Sequence, residues 1–449
     1  MQKTRTTFSR RDCLKYVAAT ATATVIVPSR LVFSYEANEK VNLAVIAVGG
    51  RGGANLKGVS GENVVALCDV DRRPLESAAK NFPDAHTYTD YRKLLDTEKT
   101  LDAVVVSTPD HMHTPICLRA MRQGLHCYCE KPLTRTVDEA YQMAKVAKEK
   151  NLVTHMGTPG RGSADTARIV EIIRSGAIGD VTEVHYWTDR PIWPQGFDRP
   201  QGEDQVPGHL DWENWIGCAP MRPYKEKWPE GHPVYQLPPG KLHSGWVYHP
   251  FVWRGWWDFG TGALGDIAPH MWHSAFWGLE LDAPESVDVV DTSGPVTEMF
   301  PAWTILRFNF PAKGNRPAVK LYWYDGGKTP PADMLGVKEV PTGGSLIVGT
   351  KGAIGVGHKS PADFPDVPQS LRRYGDMYSE WIGGIKNGNP DQPSCPFSYA
   401  GPLTEAYLLG NIALKLERTI QWDAKTRRIT NVEEANQLLV PVYRQGWEA

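Results

Sequence analysis

A chain of 449 residues is too long for one core of ordinary size, so two domains are expected. Apolar residues make up 41% and charged residues 22%, the balance of a folded globular protein rather than a disordered or membrane-embedded one. The formal net charge of −2 falls to about −7 once residues 1–34 are set aside, and no basic face stands out, which argues against a nucleic-acid partner.

The chain opens with Ser9-Arg10-Arg11-Asp12-Cys13-Leu14-Lys15, then a short apolar stretch from Tyr16 to Pro28 rich in Ala, Thr and Val. A charged region followed by about a dozen apolar residues has the form of a targeting peptide and is too short to span a bilayer. The adjacent arginines resemble the twin-arginine signal, with Cys13 at the usual phenylalanine place. Residues 1–37 are therefore expected to be a signal peptide and linker, cut near Ser34 or Ala37, on a protein exported to the periplasm. No later run of eighteen apolar residues exists, so the mature chain is expected to have no membrane span.

From Val41 the pattern alternates between strand and helix. Val41 to Val48 is nearly all apolar, as a strand buried on both faces is, and it enters Gly49-Gly50-Arg51-Gly52-Gly53. Further strands are predicted at Asn63–Cys68, Leu101–Thr108, Leu125–Cys129 and Leu152–Met156. Helices are predicted at Arg72–Asn81, Thr114–Gly124 and Val137–Lys150. Such alternation implies a doubly wound parallel sheet, here over residues 38–160.

Residues 161–449 read differently. Pro, Gly and aromatics crowd residues 190–260, which predicts long ordered loops. Strands follow at 286–291, 303–309, 318–324 and 345–349, and helices at 370–387 and 403–416. Strands in succession indicate a largely antiparallel, open sheet, so the second domain is expected to be α+β.

The glycine turn reads Ala47-Val48-Gly49-Gly50-Arg51-Gly52, a G-x-G-x-x-G pattern with Ala in the first place. It lets the backbone approach a pyrophosphate at a helix N-terminus, so Gly49, Gly50, Arg51 and Gly52 are expected to bind a dinucleotide. Asp69 ends the next strand, where a carboxylate meets the ribose hydroxyls and disfavours a 2′-phosphate; NAD is the expected cofactor, with Arg72 and Arg73 keeping NADP open. Seven cysteines, an odd number, do not suggest a disulfide framework, and His126-Cys127-Tyr128-Cys129 lies on a predicted buried strand without a second pair at zinc spacing. No metal is expected.

Ser107-Thr108-Pro109-Asp110-His111-Met112-His113 and Cys129-Glu130-Lys131-Pro132-Leu133 each end a strand. With the glycine turn they resemble the Gfo/Idh/MocA oxidoreductases. Trp253-Arg254-Gly255-Trp256-Trp257-Asp258-Phe259-Gly260 and Tyr399-Ala400-Gly401-Pro402-Leu403-Thr404-Glu405-Ala406 are similar to an often exported bacterial branch.

A lysine at the carboxyl end of a parallel strand points into the cofactor crevice, where its ammonium can stabilise an alkoxide. The resemblance gives Lys131 that place beside nicotinamide and substrate, with Glu130 orienting it. Thr108, Pro109 and His113 are expected along the cofactor, His113 as packing rather than catalysis.

In Gly265-Asp266-Ile267-Ala268-Pro269-His270, Asp266 and His270 are four apart and share a helix face. An imidazole near a carboxylate suits removal of a hydroxyl proton, and the family pattern makes the histidine the base. Pro269 predicts a helix starting near Asp266. The family's acid three residues further on is His273 here.

Eleven of the sixteen tryptophans lie between Trp187 and Trp277, and flat apolar rings stack on sugars. Trp253, Trp256 and Trp257, beside Arg254 and Asp258, are the best candidates for substrate contact, together with His273. The expected activity is hydride transfer between a sugar, glycoside or polyol and a tightly bound nicotinamide. The alternative is an NAD-dependent glycosidase working by transient oxidation and elimination; family glycosidases of that kind tend to lose the Glu-Lys-Pro motif, which is intact here. The resemblance also implies a homo-oligomer, dimer or tetramer, paired through the open sheet.

Overall fold

The glycine turn and the apolar runs around it build a parallel sheet. In a computed structural model that describes residues 40–448 apart from 239 and 242, it has six strands: β1 (Asn42–Ile46), β2 (Asn63–Cys68), β3 (His86–Tyr88), β4 (Ala103–Val106), β5 (His126–Glu130) and β6 (Thr154–Gly157). Their order is β3-β2-β1-β4-β5-β6, all parallel. Helices α1 (Arg51–Gly58), α2 (Arg72–Asn81), α3 (Tyr91–Thr97), α4 (Asp110–Arg122) and α5 (Val137–Glu149) connect them. This is the doubly wound order, whose switch point between β1 and β4 opens a crevice at the strands' carboxyl ends.

Side chains leave a strand alternately to its two faces, and both faces here are covered. Leu43, Val45, Leu67 and Val105 enter one core with Trp381, while Ala44, Ile46, Val104 and Val106 enter the other. Six cysteines among the described residues are buried free thiols, and Cys117 and Cys127 have their sulfurs 3.3 Å apart.

The second sheet has eight strands. To the four predicted, now β8 (Ser286–Thr292), β9 (Thr304–Phe310), β10 (Val319–Tyr324) and β11 (Gly344–Gly349), it adds β7 (Val181–Trp187), β12 (Gly352–Gly355), β13 (Ile420–Asp423) and β14 (Arg428–Ile429). The order is β12-β11-β7-β10-β9-β8-β13-β14, antiparallel except where β7 pairs with β10. Helices α6 (Ala164–Arg174), α7 (Gly262–Met271), α8 (His273–Gly278), α9 (Met377–Asn387) and α10 (Phe397–Leu416) complete the chain.

Late elements return to the first sheet. Trp381 on α9 is fully buried beneath it and donates its indole N–H to the Val153 carbonyl at 3.3 Å. The segment predicted as long loops holds a five-residue helix, Trp212–Ile216, and short 3-10 turns, around a separate cluster of Trp212, Trp215, Trp228, Tyr248, Trp253, Trp256 and Phe259. The proposed targeting peptide lies outside the described residues.

Candidate active site

The glycine turn has the strain its function requires. Ala47, in the first glycine place, has a left-handed φ of 63°, and Gly50 has φ 51°. A Cβ on Gly52 would lie 2.0 Å from the Ala47 carbonyl oxygen, so only glycine lets α1 start there. Above this turn lies a cleft of about 560 Å³ lined by Gly49, Gly50, Arg51, Asp69, Thr108 and Pro109 among others. Thr108 Oγ1 is buried with no hydrogen-bond partner among the described residues, which leaves it available to a ligand's polar group. Cleft, turn and orphan hydroxyl fit a dinucleotide at the place the strand order dictates.

Asp69 lines the cleft and also bonds within the protein. Its Oδ2 accepts the backbone N–H of Val48 at 2.9 Å and of Gly49 at 3.3 Å, and its Oδ1 accepts that of Asp71 at 2.9 Å. Burial pushes its pKa up despite these bonds. The carboxylate thus braces the glycine turn as well as bordering the cleft. Gly52 packs under the turn, and His113, Glu130 and Lys131 lie outside the cleft's lining.

His113 joins two of the motifs. Its Nδ1 is 2.7 Å from the Pro132 carbonyl and its Nε2 2.9 Å from that of Thr108, so the ring ties the end of β4 to the Glu-Lys-Pro turn. Glu130 points back toward the glycine turn. Its Oε1 accepts Arg51 Nε at 2.9 Å and Asn55 Nδ2 at 3.0 Å, and Asn55 in turn accepts the Tyr378 hydroxyl at 2.8 Å. Burial opposes the charge on Arg51, but Glu130 outweighs it and raises the pKa.

Asp266, rather than Glu130, orients Lys131. The ammonium donates to Asp266 Oδ1 at 2.7 Å and to the Asp266 carbonyl at 3.0 Å. Arg254 Nε donates to the same Oδ1 at 3.0 Å. Burial alone raises the pKa of Asp266, yet the two cations overcome it and hold the carboxyl well below its ordinary range. Arg254 is also stacked against Phe251 and Trp253, its guanidinium carbon 4.2 and 4.3 Å from their ring centres, and it borders the dinucleotide cleft. It is the link between cleft and ion cluster.

One turn beyond Asp266, His270 presents its ring to solvent from a concave surround. That desolvating surround and the charge of Lys131 lower its pKa to about 4, with Asp266 pulling the other way. The imidazole is therefore neutral near pH 7 and able to accept a proton. Its Nδ1 lies 3.4 Å from Thr158 Oγ1. The helix begins at Gly262, four residues before the predicted start, so Pro269 sits in its last turns rather than its first. Proline there removes one N–H and crowds the carbonyl of Gly265, and the helix ends two residues later.

The remaining substrate candidates are dispersed. Trp256 is fully buried, with its indole N–H on the Val247 carbonyl at 2.6 Å. His273 is buried too, its Nε2 2.6 Å from the Pro269 carbonyl and its Nδ1 3.1 Å from the Tyr399 hydroxyl, and burial lowers its pKa to about 3. Neither ring has a face for a substrate. Trp257 and Asp258 line a second cavity of about 220 Å³, with Asp258 paired to Arg222. Among the described residues no three His, Cys, Asp or Glu side chains are placed to hold a metal ion, and no helix is long and apolar enough to cross a membrane.

Asn55, Asp71, Trp215, Tyr378 and His249 were not singled out from sequence. Asp71 alone carried a signal, as the second acid of Asp69-Val70-Asp71.

A doubly wound sheet with a glycine turn at its switch point, a lysine at the end of β5 and a partner carboxylate and histidine on a helix of the second domain define an NAD-binding oxidoreductase fold. Comparison points the same way. Residues 41–158 match the Gfo/Idh/MocA model, described as an oxidoreductase family with an NAD-binding Rossmann fold. The chain is 29% identical over 165 residues to inositol 2-dehydrogenase of Arthrobacter sp. (strain FB24), covering 35% of this chain and 48% of that one. It is 28% identical over 193 residues to a glycosyl hydrolase family 109 protein of Solibacter usitatus (strain Ellin6076), covering 39% and 44%. The matches thus span about half the length of these curated relatives or less. The WlbA dehydrogenase from Bordetella pertussis, solved with NADH and UDP-GlcNAcA, superposes with a TM-score of 0.56 at 14% identity over 86% of this chain and 99% of that one, which establishes the common fold.

Proposed function

We propose that this protein oxidises a hydroxyl carbon of a sugar, glycoside or polyol, with a tightly bound NAD as hydride acceptor. The observation that carries the reading is the cluster Lys131–Asp266–Arg254 with neutral His270 beside it, reached from the dinucleotide cleft through Arg254. A nicotinamide bound in the cleft supplies the two-electron acceptor. His270 takes the hydroxyl proton of the substrate. Lys131 stabilises the negative charge developing on that oxygen, and Asp266 holds the ammonium in place. Arg51, Asp69, Thr108 and Pro109 border the dinucleotide, while Glu130 and His113 fix the turns that carry them.

The glycosyl hydrolase relatives support a second reading, in which the oxidised sugar loses its glycosidic substituent before hydride returns. One experiment separates the two. A panel of sugars, polyols and aryl glycosides is assayed for reduction of bound cofactor and for release of the leaving group. Cofactor reduction without release is expected; release with no net change in redox state favours the hydrolase, and neither signal on any compound rejects the site.

We also propose export by the twin-arginine route, on the strength of Arg10-Arg11 and the apolar stretch after it. The doubly substituted chain Arg10→Lys, Arg11→Lys is expected to stay in the cytoplasm, and unchanged export in cell fractions contradicts the assignment. The open face of the eight-stranded sheet is the proposed pairing surface for a dimer or tetramer.

A further inference from the structure

The outer wall of the dinucleotide cleft is made by the aromatic segment, through Trp215, His249, Pro250, Phe251 and Trp253. Apart from the short helix Trp212–Ile216 and a 3-10 turn at Val252–Gly255 this wall is loop, so something must hold it against the first sheet. The attachment is concentrated at the start of α2. The backbone N–H of Arg72 donates to the His209 carbonyl at 2.9 Å, and that of Asp211 to the Val70 carbonyl at 2.9 Å. Between these two bonds lies Asp71, whose side chain is only 3% exposed. One of its oxygens is 3.2 Å from His209 Nδ1 and the other 3.2 Å from His249 Nε2. Arg73 adds its own guanidinium at 2.6 Å and its backbone N–H at 3.0 Å, the latter capping α2.

One buried carboxylate therefore bonds His249, at the turn into Phe251 and Trp253, and lies within 3.2 Å of His209, before the short helix Trp212–Ile216, where the main-chain bonds of Arg72 and Asp211 make the attachment. Burial alone raises the pKa of Asp71, but the bonds from His249 and Arg73 more than offset it, so the group stays ionised as the acceptor for His249. A second pin lies close by, where Arg92 Nη2 donates to Asn214 Oδ1 at 3.0 Å. In a doubly wound sheet the end of β2 receives the adenosine ribose, so these attachments sit where the cofactor's adenosine half lies.

We propose that Asp71 is a positioning residue that latches the aromatic segment over the adenosine half of the cleft, and that this latch makes release of the dinucleotide slow. The inference rests on the cleft being an NAD site. It assigns retention to contacts within the protein, so retention is lost when the latch is cut even though every group lining the glycine turn remains.

The test uses two variants of the full mature chain. Asp71→Ser keeps a side chain that caps a helix well but is too short to reach the histidines. His249→Ala leaves the cap untouched and removes one arm. Each protein is loaded with NAD, separated from free nucleotide, and followed for release in the presence of an NAD-degrading enzyme. Limited trypsin digestion of the cofactor-free forms reports on the wall directly, since Lys225 and Lys227, neither followed by proline, lie within the latched segment. Both variants should release NAD at least about tenfold faster than the parent and be cut faster at Lys225 and Lys227. Equal release and equal digestion of parent and variants overturn the latch while leaving the NAD site intact. A parent chain that fails to hold NAD through the separation rejects the retained-cofactor reading, and the latch with it.

Discussion

The two walls of the dinucleotide cleft are built by different means. The inner wall comes from strand ends and a glycine turn, where φ angles, pleat and hydrogen-bond register set each position: Gly52 has no space for a Cβ and Asp69 accepts three backbone N–H groups. The outer wall comes from loops, and its order derives from aromatic rings stacked on one another, such as Trp212 on Trp215 with centroids 4.7 Å apart, and from the ion pairs of Asp71. A regular element positions a group through its backbone. A loop does so only if its side chains form a core of their own, and this one has spent its tryptophans on that core rather than on presenting flat faces to a sugar.

The largest expected effect breaks the outer wall. Trp256 is fully buried at the centre of the aromatic cluster, so Trp256→Ala should cost about 3–5 kcal/mol in stability by denaturant unfolding. Trp257→Ala, at the rim of the second cavity, should cost clearly less. Equal losses at the two positions contradict the division between core and cavity drawn here.

Next come the catalytic groups, which the comparison predicts to matter for rate and little for cofactor retention. Lys131→Met and His270→Ala should each lower turnover by about a hundredfold, near 2.7 kcal/mol in barrier, with bound NAD unchanged. Near-normal turnover in both variants removes them from the mechanism.

A smaller effect sharpens the same point. His270 must be neutral to accept a proton, and its desolvating surround and then Lys131 hold its pKa to about 4, so activity should fall only as pH drops through that value. Removing the positive charge in Lys131→Met favours the imidazolium. The acidic limb of the residual activity should then move upward, toward the ordinary value of about 6.5. A limb that stays put, or that lies near 6.5 in the parent, contradicts this electrostatic account.

The first sheet was readable because its signals are local. Val41–Val48, Asn63–Cys68 and the glycines declare buried strands and a tight turn within a few residues, and the predicted α2 of Arg72–Asn81 has the bounds observed. The start of α4 at Asp110 was hidden by the Thr108-Pro109 pair and two histidines, which read as a strand end. β7 escaped because Val181–Trp187 mixes Thr182, Glu183 and His185 among its apolar residues and is separated from its partners β10 and β11 by more than a hundred residues. In the site, Lys131, Asp266 and His270 were named from motif and helix spacing, and the structure brings the first two into contact. Spacing gave no sign that Asp266 serves Lys131 and Arg254 rather than His270, or that His273 turns inward onto the Pro269 carbonyl. Those choices depend on which way a side chain leaves its helix once the neighbouring layer is in place. The Asp71 cluster joins residues 71, 209 and 249, and no pattern along the chain links them.

The central claim is that this cleft holds NAD as a resident group. Protein purified without added nucleotide, then denatured and assayed for nicotinamide dinucleotides, is predicted to yield close to one NAD(H) per chain, with NADP(H) in the minority. A protein that emerges empty and binds added NAD only in the millimolar range, near −4 kcal/mol, contradicts it.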